Sequence, residues 1–506
     1  MTSASGGLPT GASAPGIGTA LLRVGLALVL IYSGLVLGMG WWQVVQAGPL
    51  TNDPANPLIL AAERNAPRGR ILDSRGQVVA TSVIQPGAEP RRRYPHPAMA
   101  PIVGYKSLLF GTAGLEHTYD GQLTGLQQLG PGDELLRKFR SDPYDPSELH
   151  LSVDVRLQEA ALKALGNDRG AVVAIEPKTG RILALVSNPT YDPNQLVDPT
   201  TARAYLDTLR TDKASPLLDR ATQGRYVPGS IFKMVTAIAA LDSGSITPET
   251  TYVDQPKQYQ TGFRVAGFDV HDAPRTVQLD HPLNFYEATE VSCNIYFAHV
   301  GLDAGPANYL AWAARLGFGA PIDFELPTAA SQVTGGGGAF GGFQDKVELA
   351  NAAYGQGEVL VTPLQMALVA EAIANGGTMM APRLVDKLVS ENGNVQNLDP
   401  HVMSQVMSGN TASEITKAME RAVNGPFAAG YAGGAAVPGV LTAGKSGTAQ
   451  LAQGKRPHSW FIGFAPADNP QIAIAVIAEN AGLGSQHAVP IAGQLMQLYL
   501  QLAAGG

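Results

Sequence analysis

The stretch "GVLTAGKSGT", Gly439 to Thr448, admits two readings that lead to different folds. Gly439, Gly444, Lys445 and Ser446 fit G-x-x-x-x-G-K-[ST], the loop that cradles phosphates in nucleotide-binding enzymes. Lys445-Ser446-Gly447-Thr448 also fits the K-[ST]-G strand of enzymes that attack peptides through an activated serine. A phosphate loop needs a buried strand before its first glycine and a helix starting at its Lys-Ser pair. The preceding "AGYAGGAAVP" is too rich in Gly and Pro for a central strand. The following Gly447 and "TAQLAQGKRP" leave little room for a helix. The strand reading is preferred, and it demands partners elsewhere in the chain.

Upstream, "YVPGSIFKMVTAIAAL" places Ser230 and Lys233 at S-x-x-K spacing where an apolar helix begins. Residues at i and i+3 share a helix face. The amine is therefore expected beside the hydroxyl, near a helix N-terminus that favours developing negative charge. Farther on, "EVSCNIYFAHV" holds Ser292 and Asn294 in S-x-N spacing. Each motif alone is weak, and Ser230 alone reads as a helix cap. All three in the order S-x-x-K, S-x-N, K-S-G point to one site.

The bulk numbers agree with an extracytoplasmic enzyme. The chain has 506 residues, 45% apolar content and a formal charge of −7, with a charged fraction of only 15%. That size supports one large core plus a smaller unit, and the charge disfavours a nucleic-acid partner. Cys293 is the one cysteine, so no intramolecular disulfide or thiolate zinc site is possible. The nine histidines show no H-E-x-x-H and no tight cluster, so neither a metal nor a cofactor is expected.

No charged residue occurs between Arg23 and Asp53, and "VGLALVLIYSGLVLGMGWW" (Val24 to Trp42) is apolar throughout. A membrane span needs about 20 such residues, and Trp41 and Trp42 suit an interfacial belt. Residues 23–43 read as an uncleaved anchor. The alternative is a signal peptide cut near Val45-Gln46-Ala47, for which the apolar run is long. The leader, residues 1–22, is predicted disordered and cytoplasmic. Residues 44–149 read as a small, poorly packed β-rich spacer. In it "RGRILDSRGQVVATS" makes two strands around a turn, and Arg91-Arg92-Arg93 reads as a solvated loop. From about His150 the texture changes. "GAVVAIEPKTGRILALVS" is a strand hairpin, "SWFIGFAP" and "QIAIAVIAE" are late strands, and helical stretches lie between and after them. Residues 150–506 therefore suggest a helix–sheet–helix sandwich.

At these motifs the chain resembles a class B penicillin-binding protein, a monofunctional peptidoglycan D,D-transpeptidase, of the short-pedestal actinobacterial penicillin-binding protein A type. "RGRILDSRG", "GLEHTYDGQLTG", "AVVAIEPKTGRILALVSNPTYDPN", "PLLDRATQGRYVPGSIFK", "GQGEVLVTPLQMA" and "HSWFIGFAP" all resemble that family's signature stretches. The resemblance implies an α/β (α+β) transpeptidase fold: a five-stranded antiparallel sheet flanked by helices, an all-helical subdomain, a β-rich pedestal and one transmembrane helix. It also implies roles. Ser230 is the nucleophile, Lys233 the base, Ser292 the proton relay, and Asn294 orients Lys233. Lys445 is the neighbouring cation, and with Ser446, Gly447 and Thr448 it forms the substrate-binding strand. The backbone N–H groups of Ser230 and Thr448 form the oxyanion hole. The implied partners are stem peptides, β-lactams, the membrane, and a polytopic glycosyltransferase of the shape, elongation, division and sporulation (SEDS) type.

Other readings stay open at this point. A serine β-lactamase would need a deacylating Glu, for which Glu348 is the nearest candidate. A D,D-carboxypeptidase would use water as acceptor. A β-lactam sensor or wall-complex scaffold would need no turnover. Cys293 reads as a small buried filler and His458 as structural.

Overall fold

Central to the structure is a sheet of five antiparallel strands in the spatial order Ala443–Ala449, His458–Ala465, Ile472–Ala478, Gly170–Ile175, Ile182–Asn188. The computed structural model describes residues 16–46, 67–84, 89–125, 145–274, 276–451 and 454–505. Successive residues of a strand face opposite sides. Val173 and Ile175 accordingly join one core, with Ile231, Met234 and Leu368, while Val172 and Ala174 join a second, with Leu157, Leu495 and Met496. With both faces covered, the strands read as continuous apolar runs rather than alternating ones. Helices Val155–Leu165 and Ala488–Ala504 cover the second face, and Pro363–Ala374 packs on the first. Asp154 and Thr362 cap two of these helices through their side chains.

Between the hairpin and the late strands lies a helical group: Lys233–Asp242, Phe285–Glu290, Asn294–Arg315, Lys346–Ala353 and Gly409–Asn424. Asn294–Arg315 is broken at Gly305-Pro306, where Gly305 has φ +70°. The segment after Gly439 is a strand and not a loop followed by a helix, so the phosphate-loop reading fails on its own structural requirement.

Three expectations for the N-terminal region are corrected. It is not loosely packed: Ile71, Val79, Tyr94, Met99, Ile102, Leu115 and Leu123 are buried. Its strands belong to a six-stranded sheet ordered Val395–Asn397, Val385–Ser390, Ser147–Leu151, Ile71–Leu72, Val78–Val83, Arg91–Arg93. Ile71–Leu72 runs parallel to Ser147–Leu151, and the other pairings are antiparallel. Strand Ser147–Leu151 thus crosses the position, 149/150, where the sequence suggests a boundary, and Pro67–Gly125 and Asp145–Gly506 form one compact unit. Nor is Arg91–Arg93 a solvated loop. It is an edge strand whose middle side chain turns inward. Arg92 Nε bonds the buried Glu116 carboxylate at 2.5 Å, and Arg68 Nε bonds its other oxygen at 2.9 Å. Tyr94 donates its hydroxyl to the same group at 3.2 Å. A buried charge is tolerated when it is paired and hydrogen-bonded, and arginine's fork suits that task.

The expected turn at Ser74-Arg75-Gly76 is held by Asp73, whose Oδ1 accepts from the N–H of Arg75 and Gln77. Described by itself, the N-terminal unit contributes helix Ile17–Gly40, beginning six residues before Arg23 and ending before the two tryptophans. It is long and apolar enough to cross a membrane, and Trp41 and Trp42 follow it in a short π-helical turn. Residues 1–15, most of the spacer before Pro67, and 126–144 fall outside the described residues, as does Ala47 of the alternative cleavage site.

Candidate active site

Ser230 sits in a 3-10 turn, Gly229–Phe232, that feeds helix Lys233–Asp242. The helix begins three residues later than the sequence suggests. The reading that puts residues 230 and 233 on one side survives, because side chains at i and i+3 eclipse in a 3-10 turn. Gly229 makes this turn possible. It has φ +58°, and a Cβ there would lie 2.8 Å from the Thr448 carbonyl oxygen. Its N–H donates to Gly355 O at 2.9 Å, and Trp460 Nε1 donates to Val227 O at 3.0 Å. The nucleophile candidate is thereby wedged against the edge strand Ala443–Ala449. Gly447 is the counterpart on that strand, since a Cβ there would meet Pro228 O and Ile231 Cγ2, both at 3.0 Å.

Lys233 is fully buried. Its Nζ donates to Ser292 O at 2.7 Å, Asn294 Oδ1 at 2.8 Å and Ser292 Oγ at 3.2 Å. Lys445, 1% exposed, reaches the same hydroxyl from the opposite wall: Nζ to Ser292 Oγ is 2.9 Å, and to Ser446 O 3.0 Å. Ser292 has φ +57°, a left-handed conformation uncommon for a residue with a Cβ and characteristic of sites where geometry is fixed from outside. Ser230 and Thr448 are half-buried and line a cleft of about 850 Å³ together with Ser292 and Asn294. Ser446 and Gly447 lie buried on the strand beside Lys445. Thr448 Oγ1 accepts from the Gly484 N–H at 3.1 Å, tying the strand to the loop after Leu483. The eight residues singled out by spacing therefore come from three places: the 3-10 turn and helix start at Ser230 and Lys233, the turn and helix start at Ser292 and Asn294, and the edge strand that carries Lys445 to Thr448.

Asp272 and His271 were not legible from spacing. Asp272 Oδ1 accepts from the N–H of Asn294 and from that of Ile295 at 3.1 Å, and its Oδ2 accepts from Cys293 Sγ at 3.2 Å. His271 O accepts from Asn294 Nδ2 at 3.1 Å. A carboxylate 22 residues upstream can cap a helix without leaving a local pattern, so no sequence signal marks it. Other walls of the cleft, Phe268, Tyr354 and Tyr431 among them, are equally non-local.

Cys293 is buried and accepts from Gln255 Nε2 and the Tyr296 N–H. Burial, with the Asp272 carboxylate nearby, pushes its thiol well above the ordinary range, which makes it a packing group and a cap rather than a nucleophile. His458 accepts the Asn480 N–H through Nδ1 and meets Tyr226 edge-on, and burial holds its pKa down. Glu348 closes the 334–344 loop, accepting from Thr334 Oγ1 and from the N–H groups of Gly335 and Gln344.

Comparison with known proteins agrees with this geometry. The family description "Penicillin binding protein transpeptidase domain" matches residues 170–497, and "Penicillin binding protein A dimerisation domain" matches 68–141. The chain is 34% identical over 481 residues to the peptidoglycan D,D-transpeptidase PbpA of Mycolicibacterium smegmatis, covering 92% of this chain and 94% of that one. To the PbpA of Mycobacterium tuberculosis it is 33% identical over 504 residues, covering 95% and 99%. Among solved structures it is similar to the ceftriaxone acyl-enzyme complex of M. tuberculosis penicillin-binding protein A, with TM-score 0.76, 32% identity and coverage of 87% of this chain and 100% of that one. It is also similar to Pseudomonas aeruginosa PBP2 in complex with WCK 5153, with TM-score 0.73, 29% identity and coverage of 86% and 96%. On the fold, the paired motifs and these matches together, the chain belongs to the penicillin-binding protein transpeptidase family.

Proposed function

We propose that the chain is a peptidoglycan D,D-transpeptidase that cross-links stem peptides through an acyl-enzyme on Ser230. The observation that carries this reading is the meeting of two buried lysines on one serine hydroxyl, with Lys233 Nζ 3.2 Å and Lys445 Nζ 2.9 Å from Ser292 Oγ, in the cleft that Ser230 lines.

A serine hydroxyl is a poor nucleophile until a base stands beside it. Burial disfavours a charged amine, and a second cation on the same hydroxyl adds to that effect. Lys233 therefore takes the Ser230 proton as Oγ bonds the carbonyl carbon of the penultimate D-Ala. The backbone N–H groups of Ser230 and Thr448 hold the oxyanion, each worth about 3 kcal/mol. The C–N bond then breaks, and the departing D-Ala amine receives a proton through Ser292. In the second half an amine from a neighbouring stem attacks the ester carbonyl. Its proton leaves by the same relay, and the C–O bond to Ser230 breaks. Asn294 holds Lys233 in place, while Lys445, Ser446 and Thr448 bind the terminal carboxylate. A β-lactam acylates Ser230 by opening its ring C–N bond, and the tethered nitrogen cannot diffuse away.

Residues 23–43 anchor the chain in a single pass with the leader, 1–22, in the cytoplasm. The rest of the chain, with the compact unit formed by Pro67–Gly125 and Asp145–Gly506, acts on the outer face, where the substrate lies. A SEDS-type glycosyltransferase fits as the partner that supplies glycan strands. Protease accessibility in right-side-out vesicles tests the orientation. Mass spectrometry of the penicillin-treated protein tests the chemistry. A long-lived adduct on the Ser230 peptide is expected. Rapid release would instead indicate a β-lactamase, and no adduct a scaffold.

A further inference from the structure

Asn294 can hold Lys233 only if its amide points the right way, and the geometry assigns that orientation to the segment before it. We infer that Asp272, with the His271 carbonyl, is the positioning element of the active site: it acts on Lys233 through Asn294. The inference deepens the acyl-enzyme reading and rests on it.

An amide side chain presents one acceptor oxygen and one donor nitrogen. His271 O accepts from Asn294 Nδ2 at 3.1 Å, which leaves Oδ1 to receive Lys233 Nζ at 2.8 Å. A flipped amide would set two acceptors face to face at His271 and two donors at Lys233, so the carbonyl fixes the choice. Asp272 fixes the backbone beneath it. Its Oδ1 takes the N–H groups of Asn294 and Ile295, and its Oδ2 takes the Cys293 thiol, so one carboxylate grips three consecutive residues. Those N–H groups belong to the first turn of helix Asn294–Arg315 and have no partner within the helix. The negative charge also complements the helix dipole. Ser292, immediately before the gripped residues, holds φ +57°. That conformation is kept only where surrounding contacts over-determine it. Residues 271 and 272 follow the short strand Phe268–Val270 and line the cleft with Phe268. The wall of the substrate cleft and the support of the Lys233 partner are therefore one segment.

The test compares wild type, Asp272→Asn, Asp272→Ala, Asn294→Ala and the double variant Asp272→Asn/Asn294→Ala, all as the full chain in detergent. Benzylpenicillin acylation of Ser230 is followed by quenched-time mass spectrometry, separating the acylation rate constant from the pre-acylation dissociation constant. Misplacement by about an ångström can cost roughly 100-fold in rate. Asp272→Ala is expected to slow acylation by that order with the dissociation constant unchanged. Asp272→Asn, nearly isosteric, is expected to slow it by about 10-fold with an unchanged Tm, and it carries the test if the alanine variant fails to fold. The double variant is expected to be no slower than Asn294→Ala alone, because residues acting through one another are not additive. Wild-type acylation with an undiminished rate in Asp272→Asn, or additive losses in the double variant, would overturn the inference while leaving the acyl-enzyme reading intact. A wild type that never labels would instead remove that reading itself.

Discussion

Near the start of the compact unit, Arg68 and Arg92 converge on the Glu116 carboxylate at 2.9 and 2.5 Å; in its catalytic cleft, Lys233 and Lys445 converge on the Ser292 hydroxyl at 3.2 and 2.9 Å. Both are pairs of basic side chains withdrawn from water. The first pair is delocalised, permanently charged and bonded to a full negative charge, so it has one protonation state and one geometry. The bonds of the second run to a hydroxyl, an amide oxygen and backbone carbonyls. Its amines can exchange protons where guanidinium groups cannot. The same physical device, buried basic groups, serves as a brace in one place and as reactive machinery in the other. The chemistry of the residue at the meeting point decides which.

The largest expected effect breaks the machinery outright. Ser230→Ala removes the atom that becomes acylated, so the penicillin adduct disappears by mass spectrometry while the melting temperature holds. Next, Lys233→Arg turns one cluster into an imitation of the other, keeping a cation that cannot give up its proton. General-base contributions are about 10²–10⁴-fold, and a loss of that order in acylation rate is expected, with folding retained. Glu116→Gln probes the brace. Removing one partner of a buried ion network costs roughly 3–5 kcal/mol. The denaturant midpoint should fall accordingly, while the acylation rate of the folded protein stays at the wild-type value. Equal losses of rate and stability in that variant would mean the two clusters are coupled.

The smallest effect is a pH dependence. Burial alone would raise the Glu116 carboxyl, but attraction from Arg92 and Arg68 outweighs it and holds the group below its ordinary value of 4.5. A depressed carboxylate contributes stability that is complete above its unfolded value and is lost as pH falls through the folded one. The difference in Tm between wild type and Glu116→Gln is therefore expected to be constant near neutrality and to shrink below about pH 4.5.

This pair of regions also shows what a sequence makes visible. Ser230, Lys233, Ser292, Asn294 and Lys445 stood out because catalysis needs particular groups at particular offsets within short segments, and such offsets survive as text. The hairpin at 170–188 and the late strands were readable because both faces of the sheet are covered, leaving unbroken apolar runs. The brace was misread because its partners are 24 and 48 residues apart, and a run of three arginines looks the same whether its middle member is solvated or buried. Asp272 was missed for the same reason: a side chain capping a helix 22 residues later follows no local rule. The helix at 233 began late because Gly229, with φ +58°, forces a tight turn first.

The mixed six-stranded sheet has a practical corollary. Ser147–Leu151 is flanked by Ile71–Leu72 on one side and Val385–Ser390 on the other, which stitches the start of the folded unit to a segment more than 230 residues away. Truncating the chain near residue 145 would unzip that seam and bare a ribbon of unmet amide and carbonyl groups, a ready template for clumping. A soluble version for crystallisation or inhibitor screening should therefore begin no later than Pro67, and should lose its secondary structure in a single step on heating.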